Sequence, residues 1–416
     1  MDKYLERLKN GTLKLYALEK EVPAPEAIRI RRAFIEEEAG VQLPKLGSFT
    51  MDPTNAVKRN IENMVGAVQV PVGVAGPLKV KGEYADGFYY VPLATTEGAL
   101  VASVNRGCGA VTRSGGAEVR ILRNGMTRAP VFSTRDILHS RAVKDFIDGN
   151  RDTLAAAAAE TTSHGELTGA MAFVTGTTVH VRLEFDTKDA MGMNMVTIAS
   201  ERIADLIEEK TGAHLVALSG NLCTDKKPAA VNGILGRGKS VVAGVRIPDG
   251  LVSEIFKTDP ATLAEVNYRK NLLGSARAGS LGFNAHAANV IAAVFIACGQ
   301  DPAHVVEGSG TFTTVEKQEG GVYVAVTIPA LQLGTVGGGT GLDTQRECLS
   351  ILGVAGGGTP PGAQAKKFAE IVAAAVLAGE LSLLGALGAG HLARAHRALG
   401  RGKPGGGSQS PGGRGK

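Results

Sequence analysis

Lysines, carboxylates and imidazoles set among glycine and other small residues are where this sequence could carry chemistry. In SGNLCTDKKPAAVNG, Asp225, Lys226 and Lys227 stand between Gly220 and Pro228, in a segment barred from regular helix or strand. The charged trio has two readings. It is a solvated surface turn, or it is a lysine held by a carboxylate in a dry site, a cation aimed at a developing oxyanion. ATTEGALVASVNRGCGA sets Glu97 amid small apolar residues. Glu97 is either a helix N-terminal acid beside a capping Thr, or a desolvated carboxyl able to donate a proton near neutrality. GSLGFNAHAAN and IACGQDPA supply His286, Asn289 and Asp301 on and after an alanine-rich helix. A charge at Asp301 behind such an apolar run requires a partner. GAGHLARAH closes the longest apolar stretch with His396, an imidazole suited to proton donation near pH 7.

Two further segments are ambiguous on residue type alone. DAMGMNM, residues 189–195, packs three methionines around a glycine. It is either core filling or a strand-to-helix junction whose Asp and Asn cap the helix and contact a ribose. GTVGGGTGL, residues 334–342, is either a tight turn or a close backbone approach to a ligand. Other patterns mislead. GILGRGKS fits GxxxxGK[ST], but no β-branched strand precedes it and VVAGVRIP after it reads as a strand. A phosphate-binding loop needs strand, loop, then helix, so nucleoside triphosphate binding is the weak alternative. No GxGxxG opens a helix after a strand, so a Rossmann site is unsupported. His391 and His396 are five apart, about 140° around a helix, and do not form a zinc pair.

The elements that must position these residues differ in texture. Residues 1–65 read as short polar helices; AIRIRRAFIEEEAG, for example, ends on a C′ glycine. Residues 130–217 alternate strand and helix, as a small α+β sandwich inserted between 66–129 and 218–400. The stretch from about 368 to 395 is apolar but half Ala and Gly, interrupted by Glu370 and Glu380; it reads as a buried helix rather than a membrane span. Glycine, at 56 residues, is about twice its usual share of roughly 7 %. The net charge of +5 is concentrated in the Gly-rich tail 401–416, and the body is nearly neutral. With no aromatics among those tail charges, nucleic-acid binding is not expected. Four scattered cysteines argue against zinc or disulfides. The start has no signal-like apolar core, so a cytoplasmic protein is expected.

Taken together, these segments resemble the 3-hydroxy-3-methylglutaryl-coenzyme A reductase family over residues 62–396. ENMVGAVQVPVGVAGPL, GNLCTDKKPAAVNGILGRGKSVV, NAHAANV, ACGQD, TVGGGTGL and AGELSLLGALGAGHL join the segments above in family order. The TDKKP and DAMGMNM forms are similar to class I, without its animal members' membrane region. The resemblance implies an α+β fold: a large domain around a long central helix, an inserted ferredoxin-like small domain and a small helical N-terminal region. It implies NADPH-dependent reduction of the hydroxymethylglutaryl thioester to mevalonate and coenzyme A in two hydride transfers. Lys226 would polarise the carbonyl, Asp301 tune it, Glu97 relay a proton and His396 protonate the thiolate. Substrate contacts are implied for Ser103, Arg106, Arg128, Ser219, Asp225, Lys227, Lys270, His286 and Asn289. Cofactor contacts are implied for Asp189, Met191, Gly192, Met193, Asn194, Val336, Gly337, Gly338 and Arg401. Ser163 and His164 stand where relatives place Ser-Arg for the 2′-phosphate, and an imidazole is a weaker, pH-dependent partner than a guanidinium. Sites between subunits imply a dimer or dimer of dimers. A scaffold that only binds coenzyme A would have lost one of the four catalytic residues, and all four are present.

Overall fold

In the computed structural model, backbone is described for residues 1–400 and side chains for residues 1–390. The His396 side chain, Arg401 and the basic tail lie outside the described residues.

Helices and strands are mixed. The strands are β1 (Val72–Lys81), β2 (Asp86–Ala94), β3 (Ala117–Arg128), β4 (Val131–Ser133), β5 (Glu166–Thr175), β6 (Thr178–Asp186), β7 (His214–Ala217), β8 (Arg237–Pro248), β9 (Phe312–Gln318) and β10 (Gly321–Leu331). They join in the order β7-β4-β6-β3-β8-β10-β9, with β5 on β6 and the β1–β2 hairpin on the start of β3. β3 is the shared member. Its residues 118–125 pair antiparallel with β8, and its last three pair with β6.

Two hydrophobic cores follow from that division. The smaller gathers buried residues from Met126 to Ala213, including Phe132, Val181, Phe185 and Ile203. Around it the chain runs β4, two helices (Ile137–Gly149, Arg151–Ala159), β5, β6, a helix (Met193–Thr211) and β7. The four strands lie side by side as β7-β4-β6-β5, all antiparallel.

The larger core surrounds the helix Ala363–Gly400. Its stretch Ala363–Gly390 is long and apolar enough to cross a bilayer, its most apolar 18 residues having mean hydropathy 2.0, yet it is enclosed by β-sheet and other helices. Small residues are required along it because neighbours come close. A Cβ on Gly107, in the helix Leu100–Arg113, would lie 1.9 Å from the Ala378 carbonyl oxygen. Its two acids are fully buried and spent on backbone. Glu370 accepts N–H groups of Glu83, Tyr84 and Ala85. Glu380 accepts those of Ala285 and His286 and the Thr313 hydroxyl.

A third, small cluster unites the N-terminal helices through Leu8, Leu18, Val22, Ala27 and Ile30. The helix Ala24–Ala39 stops at Gly40 in the left-handed conformation (φ 65°), as its sequence requires.

Candidate active site

The loop between β7 and β8 carries the lysines, and its backbone is strained. Asn221, Thr224 and Lys226 all have left-handed φ of 57–63°. Each costs of order 1–3 kcal/mol for a non-glycine residue, so surrounding structure must hold them. Below the loop, the fully buried Arg237 at the start of β8 donates to Glu307 Oε1 (2.9 Å), Asp225 Oδ1 (3.1 Å) and the Thr127 hydroxyl (3.2 Å). Glu307 Oε1 also accepts the Lys226 backbone N–H at 2.7 Å. One buried ion pair thus fixes the turn from beneath.

From this base Lys226 Nζ reaches Asp301 Oδ2 at 2.7 Å. The Asp301 hydrogen bond raises the lysine above its usual range. Burial pushes the Asp301 carboxyl up, but Lys226, the Ala303 N–H and the His304 field outweigh it and leave it below the usual carboxylate range. The pair stays ionised across the neutral range, as a carbonyl-polarising cation requires. Arg128 sits beside it at 3.4 Å from Asp225 Oδ2, Lys227 Nζ bonds the Asp225 carbonyl, and the exposed Ser219 touches Cys223 Sγ.

Glu97, Ser103, Arg106, His286 and Asn289 gather elsewhere. Glu97 Oε1 accepts from Asn289 Nδ2 at 3.4 Å. The Ser103 hydroxyl and the Arg106 guanidinium both bond Ser382 of the central helix, and His286 Nε2 meets the Gly379 carbonyl at 2.8 Å. Desolvation of Glu97 by its sequence neighbours is not what the fold provides. Glu97 is exposed, because the small residues after it turn into the helix Leu100–Arg113 and leave it at the surface. Lys270 is exposed on a π-type segment, Asn267–Gly274.

The helix Ala287–Ala297 separates these two groups. Asn289 lies in its first turn and Asp301 beyond its last, so about 14 Å of helix axis stands between them. The resemblance assigns Glu97, Ser103, Arg106, His286 and Asn289 to the same site as the Lys226 loop; the single chain brings them to two places.

The DAMGMNM and GTVGGGTGL segments do meet. Ala190 and Val336 form a parallel bridge, and a Cβ on Gly334 would lie 2.4 Å from the Met191 nitrogen. Asp189 corrects an expectation. It is 6 % exposed and accepts three backbone N–H groups, from Gly358, Gly362 and Ala365, so it secures the start of the central helix instead of facing a ribose. Neither Asp189 nor Asn194 caps the next helix; Gly192 does, at φ 85°, with no side-chain bond. The Met193–Thr211 helix therefore begins with free N–H groups, the arrangement that suits a phosphate. Gly337 and Gly338, also left-handed, have open space beside them. Met193 Sδ rests 3.1 Å from Arg237 Nη2, linking this segment to the lysine loop. Ser163 Oγ and His164 Nδ1 are bonded to each other at an exposed turn.

Arg237, His304 and Glu307 were not legible as site residues. Arg237 and Lys239 hide in the false phosphate loop, whose actual order is helix (Val231–Leu235) and then strand β8. Lys239 is 2 % exposed, and burial lowers it to about 8, so no phosphate can reach it as a free cation.

The family model described as hydroxymethylglutaryl-coenzyme A reductase matches residues 27–401. The 3-hydroxy-3-methylglutaryl-coenzyme A reductase of Methanothermobacter thermautotrophicus is 56 % identical over 96 % of this chain and 99 % of its own length. That of Pyrococcus abyssi is 55 % identical over 95 % and 98 %. A class II enzyme of Streptococcus pneumoniae, solved bound to NADPH in open conformations, has a TM-score of 0.65 at 20 % identity, covering 93 % of this chain and 86 % of that one; this likeness concerns the fold. On the archaeal identities and the span of the family match, the chain belongs to the hydroxymethylglutaryl-coenzyme A reductase family.

Proposed function

We propose that the Lys226–Asp301 pair is the carbonyl-polarising centre for reduction of 3-hydroxy-3-methylglutaryl-coenzyme A to mevalonate and coenzyme A. The observation that carries this reading is the 2.7 Å contact on a strained loop anchored by a buried ion pair. NADPH supplies the hydride in each of the two reductions. Lys226 donates a hydrogen bond to the thioester oxygen, and then to the aldehyde oxygen, as negative charge grows on each. His396, outside the described side chains, protonates the departing thiolate. Glu97 delivers the proton to the aldehyde-level oxygen. Arg128, Lys227 and Lys270 offer the positive charge that a substrate carboxylate needs, with Ser219, His286 and Asn289 as polar partners.

The free N-terminus of the helix Met193–Thr211 and the open glycines 337–338 fit a dinucleotide's phosphates, with Met191, Gly192, Asn194 and Val336 around them. Ser163 and His164 take the 2′-phosphate, and Arg401 lies outside the described residues. The β7-β4-β6-β5 order with two helical crossovers supports a ferredoxin-like domain inserted at about 130–217. TDKKP and DAMGMNM favour class I, in a cytoplasmic enzyme.

The 14 Å division favours an active centre made by two copies, one giving the Lys226 loop and the other Glu97 and its neighbours. Burial of Glu97 by that second copy would supply the desolvation its own neighbours do not. Mixing inactive Lys226→Ala and Glu97→Gln chains tests this. Random reassociation should restore about a quarter of wild-type NADPH oxidation, because half the dimers are mixed and each has one intact site. No recovery with exchanged subunits would defeat the shared site. No NADPH oxidation by the wild-type dimer on the thioester would defeat the activity itself.

A further inference from the structure

Asp225, His304 and Glu307 each offer a ligand atom within 4.8 Å of one another, a spacing that could hold a metal ion. The cation among them is instead the Arg237 guanidinium, which donates to Glu307 and Asp225 and lies 3.4 Å from His304 Nδ1. That leaves His304 unexplained. It is 1 % exposed, and its Nε2 has no hydrogen-bond partner among the described residues. Nε2 points into the gap between the two carboxylates that flank Lys226, 3.9 Å from Asp301 Oδ2 and 4.0 Å from Asp225 Oδ1.

Nδ1 lies between a donor and an acceptor, Arg237 Nη1 at 3.4 Å and Glu307 Oε1 at 3.3 Å, whereas Nε2 faces two carboxylate oxygens. Arginine can only donate, so with Nδ1 accepting from Arg237 the ring hydrogen sits on Nε2. A lone pair directed at two carboxylates would be repelled; an N–H is attracted. At about 4 Å it acts through its field rather than as a hydrogen bond. The charged groups facing the ring are Asp225 from the lysine loop, Arg237 from β8, Glu307 from the following helical turn, and Asp301 on its own turn. Glu307 and Asp225 are both paired with Arg237, whereas Asp301 faces, among the described residues, Lys226, the Ala303 N–H and this imidazole.

We propose that His304 is a positioning residue for the reduction: its Nε2–H, aimed from the protein interior, holds the Asp301 carboxylate ionised and turned toward Lys226. It touches neither substrate nor cofactor. The proposal rests on Lys226 being the carbonyl-polarising group. Its signature is pH dependence. Without the imidazole field Asp301 titrates at higher pH, and the ionised Asp301–Lys226 pair is lost sooner as pH falls.

The test compares pH profiles of kcat/KM for the full-length enzyme and two variants of matched melting temperature and coenzyme A affinity. His304→Phe keeps the ring volume without the N–H. Its acidic limb should move toward neutral by about half a pH unit, about a threefold loss at the acid end, with the rate at alkaline pH near wild type. His304→Gln, which returns an N–H donor, should restore most of the limb. If the Phe variant does not fold, His304→Leu is read the same way. An unmoved acidic limb, an equal loss at every pH, or a Gln variant no better than Phe overturns the proposal. Lys226→Ala distinguishes the two failures. If it keeps turnover, the reading of Lys226 is wrong. If it is inactive while the His304 variants keep the wild-type profile, only the role of His304 is wrong.

Discussion

The two ends of the helix Ala287–Ala297 are built on different principles. At the Asp301 end, the carboxylates near Lys226 are answered: Asp301 by the lysine, Asp225 by Arg128 and Arg237, Glu307 by Arg237. At the Asn289 end, Glu97 is exposed and held by one long bond of 3.4 Å. The first end is preorganised before any ligand arrives. At the second, Ser103, Arg106 and His286 are tied to the central helix while Glu97 stands exposed. The difference teaches where each chemical task belongs. A cation that must face two successive oxyanions gains from fixed surroundings, since reorganising them during reaction would cost part of the stabilisation. A carboxyl that must take up and give back protons needs access between turnovers.

The contrast can be broken most forcefully from beneath. Arg237→Leu leaves the buried Glu307 without its cation, at a cost of about 3–5 kcal/mol. A markedly lower melting temperature should result, and an unchanged one would show that the loop does not depend on this pair. Next in size is Lys226→Ala, expected to lower kcat by ~100- to 1,000-fold while coenzyme A still binds by calorimetry. Asp301→Asn should act more gently. The carboxylate holds Lys226 above its usual range, so its loss lets the amine deprotonate at lower pH and moves the alkaline limb of the kcat profile downward. An unmoved alkaline limb would separate Asp301 from the lysine's titration. His396→Gln should slow thioester reduction more than reduction of free mevaldehyde, and equal losses would contradict its role as thiolate acid. Asn289→Ala, at the other end, should be mildest, within a few-fold in kcat, because a 3.4 Å contact holds little. A large loss there would erase the distinction between the ends.

The Lys226–Asp301 pairing was legible because its residue types stand beside glycine and proline. Lys226 cannot sit in a regular element between Gly220 and Pro228, and Asp301 after an alanine-rich helix needs a partner; each supplies what the other lacks. The support was not legible. Arg237, His304 and Glu307 look like ordinary surface residues on paper, and the first lies in a motif that imitates a phosphate loop. Burial of a charge depends on which strands and turns cover it, and no local pattern encodes that. Asp189 shows the same limit from the other side. Its motif suggested a nucleotide, while long-range contacts committed its carboxylate to backbone some 170 residues away.

By itself the sequence determined the α and β content, the apolar helix too interrupted and too small-grained for lipid, the N-terminal helix ending at Gly40, and the family with its reaction. Those follow from local periodicity, turn residues and motif order, all of which are properties of neighbours along the chain. Only the tertiary structure decided that Arg237 lies under Lys226, that Glu97 is exposed, and that the length of one helix keeps Glu97 from Lys226. Distance and dielectric belong to the folded arrangement, and they decide which charges pair and which stay exposed.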